Sequence, residues 1–410
     1  MLSHIFIDRQ ALARLRACPV ADYLDDFTEW LAARHYRKST IRSYVLAAVR
    51  FAEYAQPERQ RRLSWDESQL HGYRHHLIAT ATPGSRNGER GNSYCGAHRF
   101  VAFLRNLRGA AHPLPTTPTL VETFCDWLLR HRGICEATLK TYRRVANELV
   151  RALGAEPAAY SAGKLRSFVL QQIKGYSHSH TVSIVTSVRM FVRFLIATEQ
   201  CAQDLEHIIP RAPGRRPSSL PKHLPAEDVE RAIAACDTST QLGARDHAIT
   251  LLLARLALRA ADVAGLKWWD INWSEGTIRL KGKNRREDVL PLPQDVGDAI
   301  LHYVEHMRPA MPSDHIFIIT AAPYTPIRPR QVSQTAQRVL LRAGVEAASY
   351  GAHIFRHSVA TTMLRNGASL SEIGALLRHS DEDTTAVYAK VDVDLLRQVA
   401  LPWPEEVSQC

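Results

Sequence analysis

The sequence predicts a mainly α-helical chain with a small antiparallel sheet, built as helical N-terminal modules followed by a mixed α+β domain. Three observations carry that expectation: helix-type apolar periodicity that recurs in two copies, a Pro- and Arg-rich stretch that divides the chain, and one pair of period-two runs beyond it. With 410 residues, 45% of them hydrophobic, the chain is too long and too apolar for a disordered tail or a disulfide knot, and its length suits two or three domains.

In the first half, Phe27-x-x-Trp30-Leu31 is echoed by Phe124-x-x-Trp127-Leu128, and Thr40-Ile41-Arg42-Ser43-Tyr44 by Thr138-Leu139-Lys140-Thr141-Tyr142. A third pair, Phe100-Val101-Ala102-Phe103-Leu104 and Phe191-Val192-Arg193-Phe194-Leu195, follows in each copy. The pattern reads as a duplicated helical module with amphipathic helices such as Thr138 to Leu153. Arg42 and Arg50 lie on the helix from Thr40, and Arg189 and Arg193 on the helix from Ser183. These rows are either solvated faces or tracks for a phosphate backbone.

Between Ile209 and Pro225 five prolines (210, 213, 217, 221 and 225) alternate with Arg211, Arg215, Arg216 and Lys222, the composition of an extended basic linker. Beyond it, Glu227 to Cys236 and Arg245 to Leu258 read as helices. Thr277 to Lys281 and Asp288 to Leu292 read as a hairpin around a Gly-Lys-Asn turn. Arg330 to Gly344, His353 to Asn366, Leu370 to Arg378 and Thr384 to Val391 read as helices, with Ser369-x-x-Glu372 as a capping box. The expected division is 1–112 first module, 113–208 second module, 209–225 linker and 226–410 a mixed α+β domain with its tail.

Charge narrows the partner. Fifty-two Lys and Arg against 41 Asp and Glu leave a net +11, which favours a polyanionic partner, nucleic acid or an anionic membrane surface. The longest apolar run, Ala248 to Leu258, contains Arg255 and falls well short of the ~20 residues of a bilayer span. The first ten residues lack a signal-peptide pattern, so a cytoplasmic, nucleoid-associated location is expected. Seven cysteines without a C-x-x-C pair argue against a disulfide framework and a zinc cluster.

His353 and Arg356, three residues apart, share one helical face. His357 makes an i, i+4 histidine pair with His353, but the Glu of an H-E-x-x-H zinc helix is missing, so the pair is a poor metal site. Read together with Leu377-Arg378-His379-Ser380 and Thr384-Thr385-Ala386-Val387-Tyr388, with Ala257-Leu258-Arg259-Ala260-Ala261-Asp262-Val263, and with the turn Gly282-Lys283-Asn284-Arg285-Arg286-Glu287, the segment resembles the tyrosine recombinases, the family of phage integrases, chromosome-dimer resolvases and transposon recombinases. The motifs fall in the family's order and span the whole second half. The helical copies before them resemble the family's core-binding module.

The resemblance implies that Tyr388 is the nucleophile, forming a 3′-phosphotyrosyl link, and that Arg259 and Arg356 hold the non-bridging oxygens with planar forks. It also implies that Lys283 protonates the leaving 5′-oxygen, that His353 is a proton acceptor or a phosphate hydrogen-bonder, and that His379 is a second donor to the phosphate. No metal or nucleotide cofactor is implied. The implied partner is duplex DNA, bound by a homo-tetramer on synapsed sites, alone or with related recombinases.

Four departures from the family pattern stand out: Ala257 for Gly, Asp262 for Glu, Asn284 for Gly and Arg378 for Gly. None is expected to touch a catalytic atom, and Arg378 either adds a phosphate contact or points to solvent. Tyr350 lacks the spacing of a nucleophile. The tail beyond Tyr388 either packs on its own domain or docks on a neighbouring protomer. The alternatives to a site-specific recombinase or integrase are a type IB topoisomerase, which relaxes supercoils with a similar residue set, and a non-catalytic DNA-binding accessory protein of the same fold.

Overall fold

The computed structural model describes residues 2–55, 65, 67–80, 87–107, 119–210, 222–281, 287–379, 384, 385 and 388. By spatial clustering, Arg105–Ser218 form one compact unit, and Met1–Leu104 with Ser219–Cys410 form the other.

The first module contains α1 (Leu2–Ile5), α2 (Arg9–Ala17), α3 (Ala21–Ala32), α4 (Lys38–Ala55), α5 (Glu67–Ala79) and α6 (Asn87–Leu107). Its core is aromatic: Phe27 of α3 meets Phe100 of α6 edge-on at 5.0 Å and Phe103 at 5.3 Å, and Trp30 meets Phe103 at 5.9 Å. Ala322, from the second half of the chain, packs against the rim of this core.

The second module contains α7 (Thr119–Arg132), α8 (Glu136–Leu153), α9 (Ala162–Ile173), α10 (His178–Ala197) and α11 (Leu205–Ile208). Here Phe124 of α7 meets Phe191 of α10 at 4.9 Å and Phe194 at 5.4 Å, and Trp127 meets Phe194 at 5.8 Å. The residues that repeat in the sequence therefore build the same ring cluster twice, because the i, i+3 spacing presents both rings of each pair to one facing helix.

Two expectations for this module are corrected. The helix expected from Ser183 starts at His178. Arg189 and Arg193 do not form an open cationic row: Arg189 Nη2 donates to the carbonyls of Ile209 (3.2 Å) and Pro210 (3.4 Å), and Arg193 Nε pairs with Glu206 at 2.7 Å. Both close the module's end by satisfying acceptors in and just after α11. By length and composition alone α10 would pass as a bilayer span. Instead, one face of it, including Ile184, Val188, Phe191 and Leu195, is buried in the module's core.

The second half contains α12 (Ala226–Ala234), α13 (Gln241–Arg255), α14 (Ala260–Gly265), β1 (Ile271–Asn272), β2 (Thr277–Lys281), β3 (Glu287–Pro291), α15 (Gln294–His302), α16 (Pro329–Arg342), α17 (Ala352–Arg365) and α18 (Leu370–Leu377). The sheet is antiparallel in the order β1-β2-β3, with Ile271 opposite Ile278, Ile278 opposite Leu290 and Lys281 opposite Glu287. The expected hairpin is present and gains β1, a strand too short to leave a period-two signature.

Helix α13 is buried almost all round, consistent with its nearly continuous apolar run. Its one buried carboxylate, Asp246, is held by Arg245 (3.1 Å), Thr335 (3.2 Å) and Arg338 (2.8 Å), which lock α13 to α16. The Leu224 amide donates to Ser358 Oγ at 2.7 Å and ties the chain entering this half to α17. These contacts fix the two helices whose ends deliver the candidate site.

Candidate active site

Three segments converge. After α13, Ala257 takes a left-handed backbone (φ 50°) and turns the chain so that Arg259 becomes the N-cap residue of α14. The Arg259 amide donates to Asp262 Oδ2 at 3.1 Å, satisfying an otherwise orphaned group at the helix start. Its guanidinium Nη2 donates to the carbonyls of Leu377 (3.3 Å) and Arg378 (3.0 Å).

From α17, Arg356 is 5% exposed; its Nη1 donates to the Ala257 carbonyl at 2.7 Å and its Nη2 to the Leu377 carbonyl. Both guanidinium groups therefore meet at the C-terminal end of α18, where helix carbonyls lack intrahelical donors and carry the negative end of the dipole. That shared anchor holds two like charges side by side.

The crowding is visible in the ionisation of the groups. Burial, with Arg259 beside it, lowers Arg356 to about 10, so it stays cationic at neutral pH. Burial and the neighbouring Arg378 lower Arg259 as well, with Asp262 and Asp288 opposing. His379, one residue past Arg378, is lowered to about 4 by burial, then by Arg356 and Arg259. It is therefore neutral at neutral pH, with Nδ1 2.8 Å from the Thr385 hydroxyl. Such a concentration of positive charge around a neutral imidazole is a site for an anion.

Tyr388 is 3% exposed and packs among Ala257, Ala360, Ile373 and Leu377. Burial raises its phenol above the ordinary value, while Arg356 acts in the opposite direction. Its hydroxyl lies 2.8 Å from Nδ1 of His357. His353, one turn earlier at the start of α17, is exposed. Lys283 lies outside the described residues; β2 and β3 lead to it, with Lys281 and Glu287 as the last described pair. Tyr350 sits apart, its hydroxyl accepting from the Ala347 amide at 3.4 Å.

The structure thus brings Arg259, Arg356, His379 and Tyr388 around the end of α18, with His353 on the adjoining turn of α17. Sequence reasoning missed His357 as a site residue, weighing it only as half of a metal pair. The available signal was the stripe His353, His357, Ala360, Leu364 at i, i+4, i+7 and i+11, which marks one face of α17.

One alternative for the departures is corrected. Arg378 does not point to solvent: its side chain is 4% exposed, ion-paired with Asp262, and its Nη1 lies 3.9 Å from Asp288 at the foot of the hairpin. Asp262, expected to touch no catalytic atom, accepts from the backbone amide of Arg259. The two described positions where the resemblance expects glycine, Ala257 and Arg378, both have left-handed backbones (φ 50° and 51°), the conformation that favours glycine.

Residues 222–394 match the Phage integrase family. Over 410 aligned residues the chain is 34% identical to the candidate integrase/recombinase y4rA of Sinorhizobium fredii, covering 97% of this chain and 98% of that protein. The chain belongs to the tyrosine recombinase family. It is also 28% identical over 293 residues to the tyrosine recombinase XerD of Yersinia pestis, covering 68% of this chain and 95% of that one.

Among solved structures it resembles the XerH site-specific recombinase bound to its difH substrate (TM-score 0.52, 17% identity, 82% of this chain and 94% of that one). A lambda integrase(75–356) dimer bound to a core site is similar too (TM-score 0.51, 17% identity, 70% and 98%). At these identities the structural likeness speaks for the fold.

Proposed function

We propose that this chain is a site-specific DNA recombinase that cuts and rejoins strands through a 3′-phosphotyrosyl intermediate. The observation that carries the reading is the convergence of the Arg259 and Arg356 guanidinium groups on one helix end, with the Tyr388 hydroxyl buried beside them. Each guanidinium has five N–H donors, so both retain donors for a phosphate after bonding the carbonyls.

In this reading Tyr388 attacks phosphorus, the two arginines stabilise the added charge of the pentacoordinate state, and His379 and His353 donate to its oxygens. Lys283 protonates the departing 5′-oxygen. The ester energy stays in the Tyr388 link, so religation to a new 5′-hydroxyl is nearly thermoneutral. Duplex DNA is the partner, engaged by residues 1–112 and 113–208 as two helical modules and by 226–410 as the catalytic domain, joined by the basic linker 209–225. A tetramer on synapsed sites is the assembly, as for the lambda integrase tetramer bound to a Holliday junction.

The test is a suicide DNA substrate nicked beside the crossover. Wild type should trap a covalent protein–DNA adduct, and Tyr388→Phe should trap none while still binding the DNA. An adduct that persists in Tyr388→Phe removes Tyr388 from the chemistry.

A further inference from the structure

The only described hydrogen-bond partner of the Tyr388 hydroxyl is not His353 but His357. Its Nδ1 is 2.8 Å away, within range of a direct proton transfer, and the two rings lie with centroids 5.6 Å apart. The described apolar neighbours of Tyr388 are Ala257, Ala360, Ile373 and Leu377, and the Arg356 charge acts on its phenol. A hydroxyl in such surroundings turns its proton to the nearest lone pair, and a neutral imidazole nitrogen supplies one.

We propose that His357 is a further catalytic residue, the base that takes the proton of Tyr388 as its oxygen attacks phosphorus. The inference rests on the reading of Tyr388 as nucleophile and adds an acceptor at the reacting atom. In the forward step the Tyr388 O–H proton moves to His357 Nδ1, the Oη–P bond forms, and the P–O5′ bond breaks as O5′ takes a proton from Lys283. In religation a 5′-hydroxyl gives its proton to Lys283 and attacks phosphorus, and Tyr388 leaves with the proton held on His357. No proton is gained or lost over the cycle.

The surroundings suit the role. Among the described residues, the charged and titratable groups facing His357 are His353 and Arg356 on its own helix, His379 after α18, and Tyr388 itself. Burial, His353 and Arg356 lower its pKa, so it is unprotonated and able to accept at neutral pH. A DNA phosphate brings negative charge to the arginines, and that charge offsets the cost of forming an imidazolium next to them. His353, the exposed member of the pair, is left free to hydrogen-bond the phosphate.

The experiment measures single-turnover adduct formation by the full chain on the suicide substrate, with an oxygen or a sulfur atom at the bridging 5′ position. His357→Ala should slow the adduct about 100-fold or more on both substrates, because sulfur leaves without protonation and relieves only loss of the general acid. Free imidazole should restore part of the rate. His357→Gln, which keeps a hydrogen-bonding side chain without a basic nitrogen, should bind DNA and fold as wild type yet stay slow.

The wild-type rate should rise with pH and level off once His357 is neutral, whereas His357→Gln should keep rising toward the ionisation of the phenol. A His357→Gln rate within threefold of wild type, a faster rate, or a defect erased by the sulfur substrate overturns the proposal. Each of these is distinct from failure of the parent reading, which is an adduct in Tyr388→Phe.

Discussion

Asp262→Ala tests the least expected feature of the site, the ion pair between Asp262 and Arg378. The two side chains are 11% and 4% exposed, so removing the carboxylate strands a buried guanidinium whose remaining acidic neighbour, Asp288, is 3.9 Å away. Breaking a buried pair from one side costs about 3–5 kcal/mol. The Arg259 amide also loses its cap, a further ~1 kcal/mol. Asp288 compensates in part, which places the expected loss near the lower end, about 3 kcal/mol.

Arg378→Gly has opposing effects: it breaks the same pair but removes the stranded charge and relieves a left-handed backbone, worth ~1–2 kcal/mol. The double variant should therefore be no less stable than Asp262→Ala alone, with a coupling of about 2 kcal/mol. Urea unfolding of the four proteins, followed on the transition that reports the catalytic half, measures the cycle. A loss below about 1 kcal/mol for Asp262→Ala, or additivity of the two changes within about 0.5 kcal/mol, would refute the buried-pair argument.

The lowered pKa of His379, about 4 in the fold, means that the unfolded chain takes up a proton near pH 6.5 that the folded site refuses. Stability should fall as pH drops from about 6.5 toward 4; urea midpoints across that range should show it, with a shallower slope in His379→Gln. Gly243→Ala should destabilise the catalytic half, since a Cβ there would lie 1.9 Å from the Asp237 carbonyl oxygen, and a lower thermal midpoint than wild type is the readout. DNA affinity should drop steeply between about 50 and 200 mM salt, as several released counterions require, and a flat response in a filter-binding titration would contradict a multi-phosphate contact.

Much of the architecture was legible because it is written in short-range patterns. The paired motifs Phe27/Trp30 with Phe100/Phe103, and Phe124/Trp127 with Phe191/Phe194, announced two equivalent ring clusters. The hairpin followed from alternation, and the Ser369–Glu372 box is formed reciprocally, Ser369 N to Glu372 Oε2 at 2.8 Å and Glu372 N to Ser369 Oγ at 3.2 Å. The rows of arginine on α10 were misleading for the opposite reason. Charge on a helix face says nothing about whether a carbonyl or carboxylate from a later segment will cover it, as Ile209, Pro210 and Glu206 do.

By itself the sequence determined the elements, the duplication, and the residue types gathered for phosphate chemistry, since each depends on neighbours within a few turns. The partners were decided only by tertiary structure. Arg259 reaches a carbonyl 118 residues away, Arg356 one 99 residues away, and Arg378 a carboxylate 116 residues away. No local periodicity encodes such pairings; they arise when packing leaves the end of α18 with acceptors that only buried guanidinium groups can reach, and leaves the Tyr388 hydroxyl facing His357.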